Sequence, residues 1–130
     1  MSNENVSDFR ALMTESFRGE GFSPFGSAQA TDIHRIRMFE HLVAPSGTHV
    51  SVQASFNHYC FPRETANLYD YDSFEVAIFT SDDEMCRVSD ILGINSSVSQ
   101  SFEEYYADPV YGNVPVAKLQ RLCESLGIIG

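Results

Sequence analysis

Seven residues, Val50-Ser51-Val52-Gln53-Ala54-Ser55-Phe56, alternate apolar and polar side chains without a break. Successive side chains of an extended strand point to opposite faces, so a period of two fits a strand with one buried face. That face must be covered by a second layer and both strand edges need partners, which constrains the rest of the chain. Upstream, Ile36, Met38 and Leu42 fall on one side, and Ala44-Pro45-Ser46-Gly47 supplies a fixed φ and then a glycine. Two antiparallel strands joined by a turn are therefore expected. A third run, Phe74-Glu75-Val76-Ala77-Ile78-Phe79, is apolar on both sides apart from Glu75, as a central strand should be.

Helical spacing supplies the second layer. Val6, Phe9, Leu12, Met13 and Phe17 share a helical face, with Asn5 as N-cap and Gly19 as a stop, which predicts a helix over residues 6–18. Residues 19–31 mix Gly, Ser and Pro with two Phe and read as a loop or arm. Ser81 followed by Asp82, Asp83 and Glu84 has the pattern of a capping box, and Met85, Val88, Ile91 and Leu92 then predict a helix running to Gly93. Residues 94–101 read as a polar loop, and residues 102–107 as a short helical turn ended by Asp108-Pro109. Val116, Leu119, Leu122, Cys123 and Leu126 form one stripe between Pro115, suited to a first helical position, and Gly127 at the C′ position. The expected architecture is α+β: an antiparallel sheet of three or more strands packed against an N-terminal and a C-terminal helix. At 130 residues and 43% hydrophobic, the chain suits one domain over residues 1–130.

The charge is localised. Eighteen acids face eight bases, for a net −10. Between Glu64 and Asp108 stand eleven of those acids against Arg87 alone, so this third of the chain carries all of the excess. A protein that wraps duplex nucleic acid through its own basic face is excluded. Solubility explains such charge blandly. A sharper reading starts from aromatics interleaved with acids, in Tyr69-Asp70-Tyr71-Asp72 and Glu103-Glu104-Tyr105-Tyr106. Tyr is enriched at interfaces, and carboxylates stand in for phosphates facing an Arg or Lys channel. The partner-binding candidates are Asp70, Tyr71, Asp72, Asp82, Asp83, Glu84, Glu103, Glu104 and Tyr105.

No run approaches the roughly 18 apolar residues of a membrane span, and the N-terminus is polar and acidic, so a cytoplasmic protein is expected. Cys60, Cys86 and Cys123 are odd in number and widely spaced, which fits reduced thiols. His58 and Cys60 could share a strand face and form an imidazolium–thiolate pair beside Arg63; the alternative is a buried Cys60 and a hydrogen-bonded His58. No catalytic residues are assigned. Asp70-x-Asp72 opens like a calcium loop, but Phe74 stands where the third ligand belongs. Asp70, Asp72 and Glu75 could serve a two-metal nuclease, although such clusters are more often solvated charge. Neither a G-x-x-x-x-G-K-[ST] nor a G-x-G-x-x-G motif occurs, and no cofactor or metal is expected.

Three segments, His58-Tyr-Cys-Phe-Pro-Arg63, Ser73-Phe-Glu-Val-Ala-Ile-Phe79 and Val110-Tyr-Gly-Asn-Val-Pro-Val116, resemble small uncharacterised proteins encoded by bacteriophages and prophages. The resemblance covers roughly residues 50–130. It implies a small accessory protein acting in the cytoplasm of a bacterial host, and no catalytic residues. Small acidic phage proteins include anti-CRISPR and other anti-defence inhibitors, an analogy of class only. The expected function is therefore an inhibitor that docks on a basic surface of a host defence protein or nucleoprotein complex, as a monomer or homodimer, without binding nucleic acid directly. The alternatives are a small accessory enzyme using His58, Cys60 and Arg63, and a regulatory or structural phage protein without catalysis.

Overall fold

The computed structural model describes residues 6–18, 37–55, 58–64 and 66–130. Strands β1 (Glu15–Arg18) and β2 (Arg37–Phe39) pair as an antiparallel ribbon. Strands β3 (Leu42–Val43), β4 (His49–Gln53), β5 (Ser73–Phe79), β6 (Met85–Cys86), β7 (Tyr106–Ala107) and β8 (Val110–Pro115) build an antiparallel sheet in the order β3-β4-β5-β8-β7. The second edge of β5 is shared, its first half pairing β8 and its last two residues pairing β6. Helices α1 (Val88–Leu92), α2 (Ser97–Phe102) and α3 (Val116–Ser125) complete the fold, which is α+β as the alternation implied.

The register decides which side chains meet. Val50 lies opposite Ile78 and Val52 opposite Val76, and all four are buried. With Phe74 they form the face packed in one core with Leu119, Leu122 and Cys123 of α3. Full burial of each leucine contributes about 1.5–3 kcal/mol, so this helix has a strong reason to dock. Gly127 follows it at φ +78, the left-handed turn expected after a helix. The turn before β4 also forms where expected. Gly47 has φ +97, and a Cβ there would lie 2.8 Å from the Ser81 Cβ, so both backbone angle and space require glycine.

The opposite sheet face departs from the simple pattern. His49 lies opposite Phe79, Ser51 opposite Ala77 and Gln53 opposite Glu75, yet Ser51, Gln53 and Ser55 are buried rather than wet. Strand β2 covers this side, where the Gln53 amide binds the backbone of Phe39.

Four local expectations are corrected. In place of a helix over residues 6–18 there is one 3₁₀ turn, Phe9–Leu12, followed by β1. Asp8 caps that turn by accepting from the Arg10 N–H at 2.9 Å, and Phe9 reaches the core without a longer helix. Residues 81–84 form a turn rather than a helix start, because Met85 and Cys86 pair with β5; α1 begins only at Val88, where the Asp90 carboxylate accepts from the Arg87 N–H. The segment read as a polar loop contains α2, capped by Ser96 Oγ accepting from the Val98 and Ser99 N–H groups. Pro115 ends β8 and precedes α3 rather than starting it. The arm at residues 19–31, and Asn5, Gly19, Ile36 and Phe56, lie outside the described residues.

Candidate functional site

Three short segments meet at the start of β5. The Asp72 N–H donates to the Phe61 carbonyl at 2.8 Å, Phe61 bridges to Ser73, and the Asn113 N–H donates to the Tyr59 carbonyl at 2.9 Å. The Tyr59 N–H in turn donates to the Glu75 carboxylate at 3.0 Å. The His58–Arg63, Ser73–Phe79 and Val110–Val116 segments are thus neighbours in space.

Along the chain from Tyr59 to Asp72 aromatic rings stand in solvent. Phe61 is 61% exposed, Tyr69 56% and Tyr59 46%, and the carboxylates of Glu64, Asp70 and Asp72 are exposed beside them in the chain. The Arg63 guanidinium covers the Tyr59 ring at 5.1 Å and that of Arg10 covers the Tyr69 ring at 4.6 Å. Tyr71 is different. It is 2% exposed, and its hydroxyl donates to the Glu64 carbonyl while accepting from the Ala66 N–H at 2.8 Å and from Arg37 Nη2 at 3.1 Å. Tyr71 cannot touch a partner; it anchors the loop that presents Phe61, Tyr69 and Asp70.

The remaining candidates lie elsewhere. Asp82, Asp83 and Glu84 occupy the turn after β5, whose seven residues separate them from Asp72 by roughly 23 Å at 3.3 Å per residue. The backbone of this turn is tied to Thr80, whose Oγ1 accepts from the Asp82 and Glu84 N–H groups at 3.2 Å. The Asp83 carboxylate lies 2.8 Å from His49 Nε2, and His49 Nδ1 lies 2.7 Å from His41 Nδ1. The imidazoles of His41 and His49 stack on Phe79, ring centroids 5.0 and 5.3 Å away, and on each other at 4.9 Å. At a third place, Glu103 is ion-paired with Arg87 at 2.7 Å, Glu104 is exposed and Tyr105 is half-buried against the core. Arg87 also lies over the Tyr106 ring at 3.9 Å. The acidic third of the chain therefore forms separate groups rather than one sheet of charge.

The His58 and Cys60 pair does not form. The His58 ring lies 2.6 Å from Ser55 Oγ through Nδ1, and the Cys60 thiol points at the carbonyls of Ser55 and Pro62 at 3.5 and 3.4 Å. A thiolate–imidazolium pair needs a lowered thiol and a raised imidazole pKa. Burial drives both in the opposite sense here, raising Cys60 and lowering His58. Among the described residues no group of three or more His, Cys, Asp or Glu is arranged to hold a metal ion, and no helix is long and apolar enough to cross a membrane.

Sequence reasoning passed over His41, Tyr59 and Phe61 as surface features. The signal for His41 lay in the hairpin: a turn at 44–47 brings residues 41 and 49 to one end of the sheet. Phe61 carried no signal, because an aromatic residue in an apolar run reads as core. No family model matches the chain, and no curated protein or solved structure matches it.

Proposed function

We propose that this chain is a phage-type inhibitor that binds a host defence nucleoprotein complex of the CRISPR kind, docking on its basic surface in the bacterial cytoplasm. One observation carries the reading: exposed Tyr59, Phe61 and Tyr69 share one stretch of chain with exposed Asp70 and Asp72, in a loop that Tyr71 anchors. The rings supply area that is cheap to order and gains by desolvation, and the carboxylates supply complementarity to Arg and Lys. Nothing in this arrangement requires chemistry on the partner. The thiol and imidazole environments favour binding over the enzyme alternative at His58, Cys60 and Arg63.

The test is recovery of a purified host defence ribonucleoprotein on immobilised protein. Wild type is expected to capture it with an affinity that falls as salt rises from 50 to 500 mM, since exposed charges are screened over about 8–10 Å near physiological ionic strength. Asp70→Lys with Asp72→Lys should abolish capture, Phe61→Ala should weaken it, and Cys60→Ser should leave it unchanged. Capture indifferent to both charge reversals would overturn the acidic docking surface.

A further inference from the structure

Among the described residues most basic side chains are already engaged. Asp8 pairs with Arg10, Glu103 pairs with Arg87, Arg37 is buried and Arg63 covers Tyr59. Lys118 and Arg121 make no ion pair among the described residues, and the one acid nearby in the chain, Glu124, is 3.4 Å from Gln120 Nε2. They sit three residues apart on α3, so their side chains leave the same face one turn apart.

Facing them is α2, where Ser97 and Ser101 are four residues apart and likewise share a face. Ser97, Ser101, Lys118 and Arg121 line one cavity of about 180 Å³ together with Val98 and Ala117. Lys118 Nζ lies 5.9 Å from the centre of the Tyr105 ring. The Ser101 hydroxyl donates to the Val98 carbonyl at 2.8 Å within its own helix, a bond it can exchange for one to a ligand at little cost.

We propose that this groove between α2 and α3 binds a phosphate group in its dianionic form. The cavity is smaller than the roughly 300–1,000 Å³ that enclose a whole drug-sized ligand, so it fits a tetrahedral oxyanion with a few attached atoms. A phosphate monoester carries close to two charges at neutral pH and three acceptor oxygens, which match a guanidinium fork, an ammonium and two hydroxyls. A cation has no carboxylate to meet among these residues. A neutral ligand would leave both charges uncompensated. The proposal is independent of the acidic docking surface, which lies at the start of β5.

The test is a titration followed by backbone amide NMR shifts of the full chain at pH 7.5, with inorganic phosphate and O-phosphoserine as probes and chloride at matched ionic strength as control. Shifts confined to residues 97–101 and 117–121 are expected. O-phosphoserine binding more tightly indicates an ester-borne group, and inorganic phosphate binding more tightly indicates the free ion; either supports the site. Lys118→Gln and Arg121→Gln should each weaken binding at least fivefold, and Ser97→Ala about twofold. These side chains lie outside the core, and unchanged circular dichroism verifies that each variant folds. Equal shifts with chloride, or affinities unmoved by all three substitutions, overturn the proposal. Asp70→Lys with Asp72→Lys should leave the titration unchanged, so each reading can fail alone.

Discussion

The side-chain amide of Gln53 pairs with both backbone polar groups of Phe39: Oε1 accepts from the N–H at 2.8 Å and Nε2 donates to the carbonyl at 2.9 Å. The remaining amide proton goes to Ser51 Oγ at 2.9 Å. A side chain thus takes the place of a neighbouring strand and ties β2 to the face of β4.

Replacing Gln53 removes the partner of two buried backbone groups. Gln53→Ala should cost about 2–4 kcal/mol, since each stranded group is worth about 1–3 kcal/mol. Gln53→Glu loses the donor to the Phe39 carbonyl and places a charge against it, so it should be at least as damaging at pH 7. Urea unfolding of the two variants measures this; a loss below 1 kcal/mol in both would mean that β2 is held by other contacts.

Tyr71 supports its loop through a hydroxyl with three partners, Arg37, Ala66 and Glu64. Tyr71→Phe keeps the ring and its packing on Phe74, centroids 5.5 Å apart, while removing those bonds. The expected loss is about 2–3 kcal/mol, by the cost of unsatisfied buried groups. Hydrogen exchange at Ala66 should speed up more than exchange in β4. Uniform acceleration across the sheet would contradict a local anchoring role.

Two histidines should make stability depend on pH. The pKa of His41 is held below its ordinary 6.5 by burial first and by the adjacent His49, against the pull of Asp83. That of His58 is held down by burial, with Glu75 opposing and Arg37 and Arg63 reinforcing. The unfolded chain binds both protons more readily, so this stability is fully present above about pH 6.5 and is lost as pH falls through the folded-state values. The urea midpoint should drop between pH 7.5 and 5.5, and His41→Phe and His58→Asn should each flatten the slope. A flat wild-type profile would refute the assignment.

The thiols should react in order of access. Cys86 is half-buried, whereas Cys60 and Cys123 are buried. Burial raises the pKa of all three, that of Cys123 to about 12, which keeps the thiolate scarce at neutral pH. Iodoacetamide at pH 7.5 followed by peptide mass mapping should label Cys86 first, with Cys60 and Cys123 protected until unfolding. Rapid labelling of Cys60 would restore the case for a reactive thiol.

The legible parts of the fold share one property: their apolar spacing fits a single kind of local structure. The stripe from Val116 to Leu126 reports α3, because one side of that helix is wet. The alternation from Val50 reports β4, and the run at 74–79 reports the central β5. Where the apolar spacing fits more than one local structure, the reading fails. Phe9 and Leu12 are spaced for a helix, yet a single turn delivers Phe9 to the core and the following residues pair with β2. The acidic run at 82–84 resembles a helix cap, but pairing of Met85 and Cys86 with β5 claims the backbone first.

By itself the sequence determined the α+β class, the central strand, the last helix and the concentration of acids between Glu64 and Asp108, because these follow from periodicity and counting. Only the tertiary structure decided that Gln53 is interior, that Tyr71 is an anchor rather than a contact, and that Asp72 and Asp82 sit at opposite ends of β5. The reason is the same in each case. Burial of a polar side chain is permitted by a partner supplied from a distant segment, here Phe39 for Gln53 and Arg37 for Tyr71, and no local pattern encodes which distant segment arrives.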